Sequence, residues 1–413
     1  MQSLDRAHCE QLDRDDPLAF ARDRFHLPEG VVYLDGNSLG ALPKATAAHV
    51  DQVIRRQWGD DLITGWNTHG WVDLPKRLGA KLAPLIGASE DEVAVCDSTS
   101  LNVFKLLSAA LSLRPKRKII LSDIGNFPTD LYMAQGLAQL LGRDHRLELV
   151  RPEQVLDRIH DDVAIVMLTD VDYRTGRRHD MAAINARARD VGALTLWDLA
   201  HSAGAMPVEL DRHGCDFAVG CGYKYLNGGP GAPAFLYVAR RWLGAAQQPL
   251  FGWFGHAQPF DFDTAYRPRD GIERYLVGTP SVIGMAALQC GLETFDGIDL
   301  GQLRAKSLAL GDLMIRLVAQ ECGGTGLGLA SPADGRQRGS QVSYGHNHGY
   351  PIMQALIARR VIGDFRAPDL LRFGFTPLYL RYQDIWDAVA VLKTVLAQEE
   401  WRRPEFNRRA AVT

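Results

Sequence analysis

Two residues, each closing an apolar run, carry the strongest chemical signal in the chain. Residues 194–201 read LTLWDLAH and residues 221–231 read CGYKYLNGGPG. Asp198 ends the first run, which places an acid at the carboxyl end of a strand, where open α/β sheets hold their ligands. A buried carboxylate is costly unless a cation pairs with it. The ordinary alternative is an N-cap for a helix starting after Leu199, and the aspartate alone does not separate the two. Lys224 follows the next strand. An amine at the end of a buried strand has to be desolvated, which lowers its pKa and favours Schiff-base formation. Gly228-Gly229-Pro230-Gly231 then makes a turn without side chains, where backbone can approach closely. Most single lysines are merely solvated, but an acid, a strand, a lysine and a glycine turn in series form a more specific pattern. A protonated pyridine nitrogen on Asp198 and a Schiff base on Lys224 together describe pyridoxal 5′-phosphate, with the acid keeping the ring cationic and a good electron sink.

The phosphate of such a cofactor needs donors. Ser98-Thr99-Ser100 lies between a strand and a helix, so hydroxyls and helix-start N–H groups meet there; simple N-capping would use the same residues. A second strand-to-helix junction, Asn126-Phe127-Pro128-Thr129-Asp130, supplies an aromatic face and further polar groups. Phe127 there could stack on the ring, although a lone phenylalanine is more often core.

The elements that must position these residues follow from hydrophobic pattern. Strands are expected at 93–96, 118–121, 163–169, 194–198, 217–221 and 234–238, with helices at 101–113, 131–141 and 182–191. Val-, Ile- and Leu-rich strands separated by helices indicate a mostly parallel sheet covered on both faces. Beyond about residue 285 the pattern changes to long helices at 285–295 and 300–320. A strand at 341–344, a helix at 350–360, a strand near 371–375 and a last helix at 382–400 follow. The expected organisation is α/β: an N-terminal segment, 1–45, packing on the small domain, a large domain, 46–290, and a smaller C-terminal α+β domain, 291–413.

Bulk properties narrow the classes further. The chain has 413 residues, 46% hydrophobic and 23% charged, with formal net charge −3. That suits a soluble protein with a large core. Basic residues are not clustered, so no nucleic-acid partner is expected; the mildly basic tail (Arg402, Arg403, Arg408, Arg409) reads as a solvated terminus. No apolar run approaches the ~18 residues of a membrane span, and the polar, acidic start is unlike a signal peptide. Cys9, Cys96, Cys215, Cys221, Cys290 and Cys322 lack paired spacing. Reduced, mostly buried thiols in the cytoplasm are expected, with no disulfide framework or metal site.

Along nearly the whole chain the motifs resemble kynureninase, a fold-type-I pyridoxal-phosphate enzyme of the aminotransferase class V superfamily. The stretches are YLDGNSLG (33–40), DSTSLNVFK (97–105), NFPTDLY (126–132), VMLTDVDYRTG (166–176), WDLAHSAGA (197–205), GYKYLNGGPG (222–231), GWFGH (252–256) and RFGFTPLY (372–379). The resemblance implies a fold-type-I aminotransferase-like architecture with a large cofactor domain. It implies that Lys224 binds the cofactor, that Asp198 pairs with its ring nitrogen with His201 beside it, and that Thr99, Ser100 and Tyr223 hold the phosphate region. Phe127 would stack on the ring, which Asp130 and Thr169 line, with Pro128 and Thr129 in the same junction. Trp253 and Thr279 resemble cofactor-site positions, and in this family the pocket is completed across a homodimer interface. Arg372 resembles the arginine that grips the substrate α-carboxylate, with Asn37 and Ser38 near the substrate. Eukaryotic members carry a Gly-His near Thr64 that this chain lacks.

The implied reaction is hydrolysis of L-kynurenine, and of 3-hydroxy-L-kynurenine, to anthranilate or 3-hydroxyanthranilate and L-alanine, in tryptophan degradation and NAD-precursor metabolism. Lys224 would move the Cα proton, and Tyr223 would supply one later. Two rivals share the Asp198–His201–Lys224 frame, a class V cysteine desulfurase and a class V aminotransferase. A desulfurase needs a nucleophilic cysteine on a mobile loop after the lysine. Cys322 in ECGGTG follows a helix, and the 331–340 loop has no cysteine. A catalytically idle protein on the same fold is a third reading.

Overall fold

Runs of Val, Ile and Leu too apolar to face water on either side make the core of the molecule. The computed structural model of the chain describes residues 4–142 and 144–409. Seven strands form the larger sheet: β1 (Val93–Val95), β2 (Ile119–Asp123), β3 (Arg146–Val150), β4 (Val163–Thr169), β5 (Leu194–Asp198), β6 (Phe217–Gly220) and β7 (Phe235–Val238). Their order is β1-β7-β6-β5-β4-β2-β3. Strands β3, β2, β4, β5 and β6 run parallel, and β7 lies antiparallel between β6 and β1.

Successive residues along these strands point to opposite faces. Ile120, Ile165, Met167, Leu196 and Val219 pack on one side of the sheet, and Leu121, Val166, Leu168, Trp197 and Ala218 on the other. Helices α1 (Thr99–Leu113), α2 (Pro128–Leu141) and α3 (Met181–Val191) join the parallel strands. The strand at 146–150 was not expected. It is the edge strand, with exposed or half-exposed residues before Val150, so its RLELV pattern lacks the continuous apolar run that marks the inner strands.

Two long helices, α4 (Val282–Glu293) and α5 (Leu300–Glu321), lead to a second, antiparallel sheet. Its strands are β8 (Gly328–Leu329), β9 (Gln341–Gly345), β10 (Asp364–Arg366) and β11 (Leu370–Gly374), in the order β8-β9-β11-β10. Helices α6 (Gly349–Ala358) and α7 (Tyr382–Ala397) belong to the same region. Both end two to three residues before the expected bounds, where Arg360 and Glu399 take positive φ.

The N-terminal segment ties these parts together. Asp13 accepts from the backbone N–H of Tyr382 at 2.6 Å and Gln383 at 3.1 Å, capping the start of α7. Residues Val32–Tyr33 pair in parallel with Val361–Ile362, and Asp35 bridges Gly374. From there the chain crosses to the large sheet, where the Gly40 N–H donates to the Tyr223 carbonyl at 2.8 Å. Asp16 anchors the strap to α5 through Lys306, 2.6 Å away, with both side chains buried.

That pair generates a stability prediction. Lys306→Ala leaves Asp16 buried and uncompensated, a change that costs about 3–5 kcal/mol. Urea unfolding should show a lower midpoint, recovered in part by the double variant with Asp16→Ala; a Lys306→Ala midpoint equal to wild type contradicts the anchor.

Candidate active site

Parallel pairing decides which side chains meet. Thr169 lies opposite Asp198 in the β4–β5 register, and Asp198 opposite Val219 in the β5–β6 register. The strands end together, and the chain beyond β6 runs on through Cys221 to Tyr223 and Lys224. Thr99, Ser100, Phe127, Thr129, Asp130, Thr169, Tyr173, Asp198, His201, Tyr223 and Lys224 line one cavity of about 170 Å³ at these carboxyl ends. A larger cavity of about 460 Å³ adjoins it, sharing Thr169 and also lined by Asn126, Asp123 and His179; the lysine is in the smaller one.

Lys224 Nζ lies 3.0 Å from His201 Nε2 and 5.9 Å from the centre of the Phe127 ring. Burial, and then the charge of Lys224, hold the His201 imidazole well below its usual pKa. A neutral ring that accepts from Lys224 at Nε2 carries its proton on Nδ1, and that buried atom has no protein partner.

Asp198 does not begin a helix: residues 200–205 form turns, and its Oδ1 accepts from the Ala200 N–H at 2.8 Å. Burial raises its carboxyl above the usual range, against the pull of Lys224. Asp130, in the first turn of α2, is raised well above its usual value by burial and by the adjacent Asp198. Two buried acids in contact cannot both ionise cheaply, so Asp130 holds the proton. Its Oδ2 has no partner in the protein.

The NFPTD motif works as a helix start. Phe127 is the residue before α2, Pro128 takes the first helical position, where its missing N–H costs nothing, and Asp130 stands near the positive end of the helix. At the other junction Ser98 caps α1, accepting from Leu101 N–H at 3.4 Å. Capping therefore falls to Ser98, and Thr99 and Ser100 are left in the first turn facing the cavity.

Two supporting residues were not singled out from sequence. Asn126 accepts from the Phe127 N–H at 2.7 Å and from the Thr169 hydroxyl, and donates to Ser122 Oγ at 3.0 Å. It thus fixes the ring-bearing backbone and the Thr169 side chain together. Tyr173 stands edge-on to Phe127, with ring centres 5.2 Å apart at 89°. Both lie inside motifs noted from sequence, but their roles depend on distant partners.

The remaining expected residues are elsewhere. Arg372 on β11 is buried, forms a fork with Asp364, and donates to the Tyr173 carbonyl and to Ser38 Oγ. Asn37 is buried and donates to Gln341 Oε1 at 3.1 Å. These three adjoin the cavity through Tyr173 rather than line it. Trp253 is 42% exposed among Phe260 and Phe262, and Thr279 lines a separate cavity with Cys96 and Asp97. A single chain does not bring either to Lys224.

The donor set fits pyridoxal phosphate. A cationic ring nitrogen answers the buried Asp198–Asp130 pair and its unpartnered oxygen. The start of α1 suits the phosphate, Phe127 offers a face and Lys224 an amine. Cys322, by contrast, is buried at the end of α5 with its thiol pushed up to about 11, the opposite of an activated nucleophile.

Comparison with known proteins gives the same picture. The family profile described as the kynureninase C-terminal domain matches residues 303–392. A kynureninase of Burkholderia mallei is 55% identical, and one of Pseudomonas fluorescens 50%, each over 99% of both chains. Among solved structures, the apo cysteine desulfurase of Thermococcus onnurineus superposes with a TM-score of 0.76 at 20% identity, covering 96% of this chain and 100% of that one. That likeness establishes a shared fold.

Gly40 shows how tightly the strap meets the lysine turn. A Cβ there would stand 2.4 Å from the Lys224 carbonyl oxygen and 2.7 Å from Asn227 Cα. Gly40→Ala must push the turn aside, and displacements of about 1 Å cost on the order of 10²-fold in rate. We expect kcat/KM to fall by about that factor with the far-ultraviolet circular dichroism unchanged; near-normal turnover would show that the contact is dispensable.

Proposed function

The chain belongs to the kynureninase family, and from that premise we propose that it hydrolyses L-kynurenine, and 3-hydroxy-L-kynurenine, to anthranilate or 3-hydroxyanthranilate and L-alanine. The carrying observation is Lys224 held on neutral His201 at 3.0 Å in the cavity that also contains the buried Asp198–Asp130 pair.

Pyridoxal phosphate, when bound, supplies an electron sink conjugated to the substrate amine. Lys224 Nζ would take the substrate Cα proton. His201 Nε2 is its hydrogen-bond partner at rest and, being neutral, adds no opposing charge. Asp198 would keep the ring cationic, and protonated Asp130 would let that carboxylate stay ionised beside it. Thr99 and Ser100 would hold the phosphate end, and Phe127 and Thr169 would hold the ring. Water adds to the γ-carbonyl, and the Cβ–Cγ bond then breaks. Tyr223, whose phenol burial raises above its usual pKa, keeps its proton at neutral pH and delivers it to Cβ. Such acid–base help contributes about 10²–10⁴-fold. Arg372 seats the α-carboxylate, with Asn37 and Ser38 beside it.

We read residues 46–290 as the cofactor domain and 291–413 as a small domain carrying the strap, residues 1–45. A second copy of the chain would bring Trp253 and Thr279 to its neighbour's cavity. The exposed Trp253, Phe260 and Phe262 support that homodimer. The six cysteines are free and buried, which suits the reducing cytoplasm. Among the described residues no helix is long and apolar enough to cross a membrane.

Lys224→Ala should lose both the visible absorbance of the lysine-bound cofactor and anthranilate fluorescence on adding kynurenine; retained turnover overturns the assignment. Arg372→Ala should raise KM by about 10²-fold, the scale of a lost charge-assisted pair, with kcat changed less. A flat KM removes the carboxylate role.

A further inference from the structure

Asp364 and Arg372 lie directly opposite each other in the β10–β11 register, so their side chains rise from the same face of the small sheet. Arg366, two residues along β10, shares that face and places Nη2 2.8 Å from Asp364 Oδ2. Asp364 is wholly buried, 0% exposed, and Arg372 is 1% exposed. This buried carboxylate is paired with a guanidinium on each strand, and Asp35 is the next carboxyl group in the same cluster.

Four of the five N–H groups of Arg372 have partners. Nε and one Nη2 hydrogen go to the two oxygens of Asp364 as a side-on fork. The second Nη2 hydrogen goes to Ser38 Oγ at 3.1 Å, and the Ser38 hydroxyl itself donates to Asp364 Oδ2 at 2.7 Å. Nη1 donates to the carbonyl of Tyr173, the residue that lines the Lys224 cavity. The side-on edge of the guanidinium is therefore closed. The end-on edge, Nη1 with Nη2, is the one that meets Tyr173, a residue of the cavity wall. A free arginine side chain loses rotamer entropy when it binds; here its partners already fix the orientation.

We propose that Asp364, with Ser38 as its link, is a positioning residue that turns the Nη1–Nη2 edge of Arg372 toward the Lys224 cavity to receive the substrate α-carboxylate. The inference rests on Arg372 being the carboxylate anchor. The Tyr173 carbonyl marks the acceptor position on Nη1 that a carboxylate oxygen would take over, while Ser38 stays as the link to Asp364.

The test compares inhibition by L-alanine and by L-alaninamide, which differ only at the carboxylate, alongside kynurenine kinetics of the holoenzyme. Asp364→Asn keeps the volume and removes the charge. KM should rise about 10–100-fold, the range of a hydrogen bond to a charged group, and kcat should fall less than about threefold. The preference for alanine over alaninamide should shrink by the same factor as KM rises, whereas a general loosening of the site would weaken both inhibitors alike. Asp364→Glu should recover part of the preference. An unchanged preference in Asp364→Asn overturns the proposal when Arg372→Ala abolishes it; a preference that survives Arg372→Ala condemns the anchor reading instead. Should Asp364→Asn not fold, Asp364→Glu reads the same ratio, with a smaller loss expected and no loss counting against the proposal.

Discussion

A carboxylate buried at the end of a parallel strand is the constraint on which the site depends. Isolated in a low-dielectric interior, an ionised acid costs several kcal/mol, and only a cation with good geometry repays it. Asp198 meets that condition incompletely within its own chain. It has one backbone N–H and the field of Lys224, and burial still lifts its pKa. Asp130 beside it responds by staying protonated. The neutral His201 belongs to the same balance, because a second cation next to Lys224 would be expensive to bury. The charge states of these residues follow from burying acids and an imidazole beside one amine.

Much of this was legible in sequence because it is local. A strand, an acid, another strand, a lysine and a glycine turn occupy one contiguous stretch, and parallel pairing then brings their ends together. Thr99, Ser100, Phe127 and Asp130 were legible for the same reason, each lying at a strand-to-helix junction that a parallel sheet places on one edge. The edge strand 146–150 was not, since half-exposed residues break the apolar run. Nor was the fork between Asp364 and Arg372, which register creates across a hairpin. Asn126 hid for a related reason: its neighbour Phe127 is local, but Thr169 is on another strand. Trp253 and Thr279 are recognisable as motif positions, yet one chain leaves them apart from Lys224.

The strap from the N-terminus explains how the two sheets keep their distance. It is pinned to the small region by Asp13 on α7, by Lys306 on Asp16 and by the pairing of Val32–Tyr33 with Val361–Ile362. It is pinned to the large sheet at Gly40, against the turn that carries Lys224. Asn37 and Ser38 lie between those pins. A residue that touches Arg372 and a backbone that touches the lysine turn are thus two positions apart on one short segment. Any relative movement of the sheets is felt by both.

Asp198 and Asp364 obey the same electrostatics and differ in where their cation comes from. Asp364 is buried between Arg366 and Arg372, both supplied by its own hairpin, and its oxygens are taken up by them and by Ser38. Burial there raises its carboxyl, but the two arginines outweigh it and the pKa falls below the usual value. Asp198 is buried without such a fork, and its pKa rises. Asp364 thus finds its counter-charge within the chain, whereas Asp198 has Lys224 nearby and no guanidinium partner. In this molecule they stand on opposite sides of Tyr173, whose carbonyl meets Arg372 and whose ring meets Phe127. Tyr173 thus joins the Arg372 cluster to the cavity that holds Lys224 and Asp198.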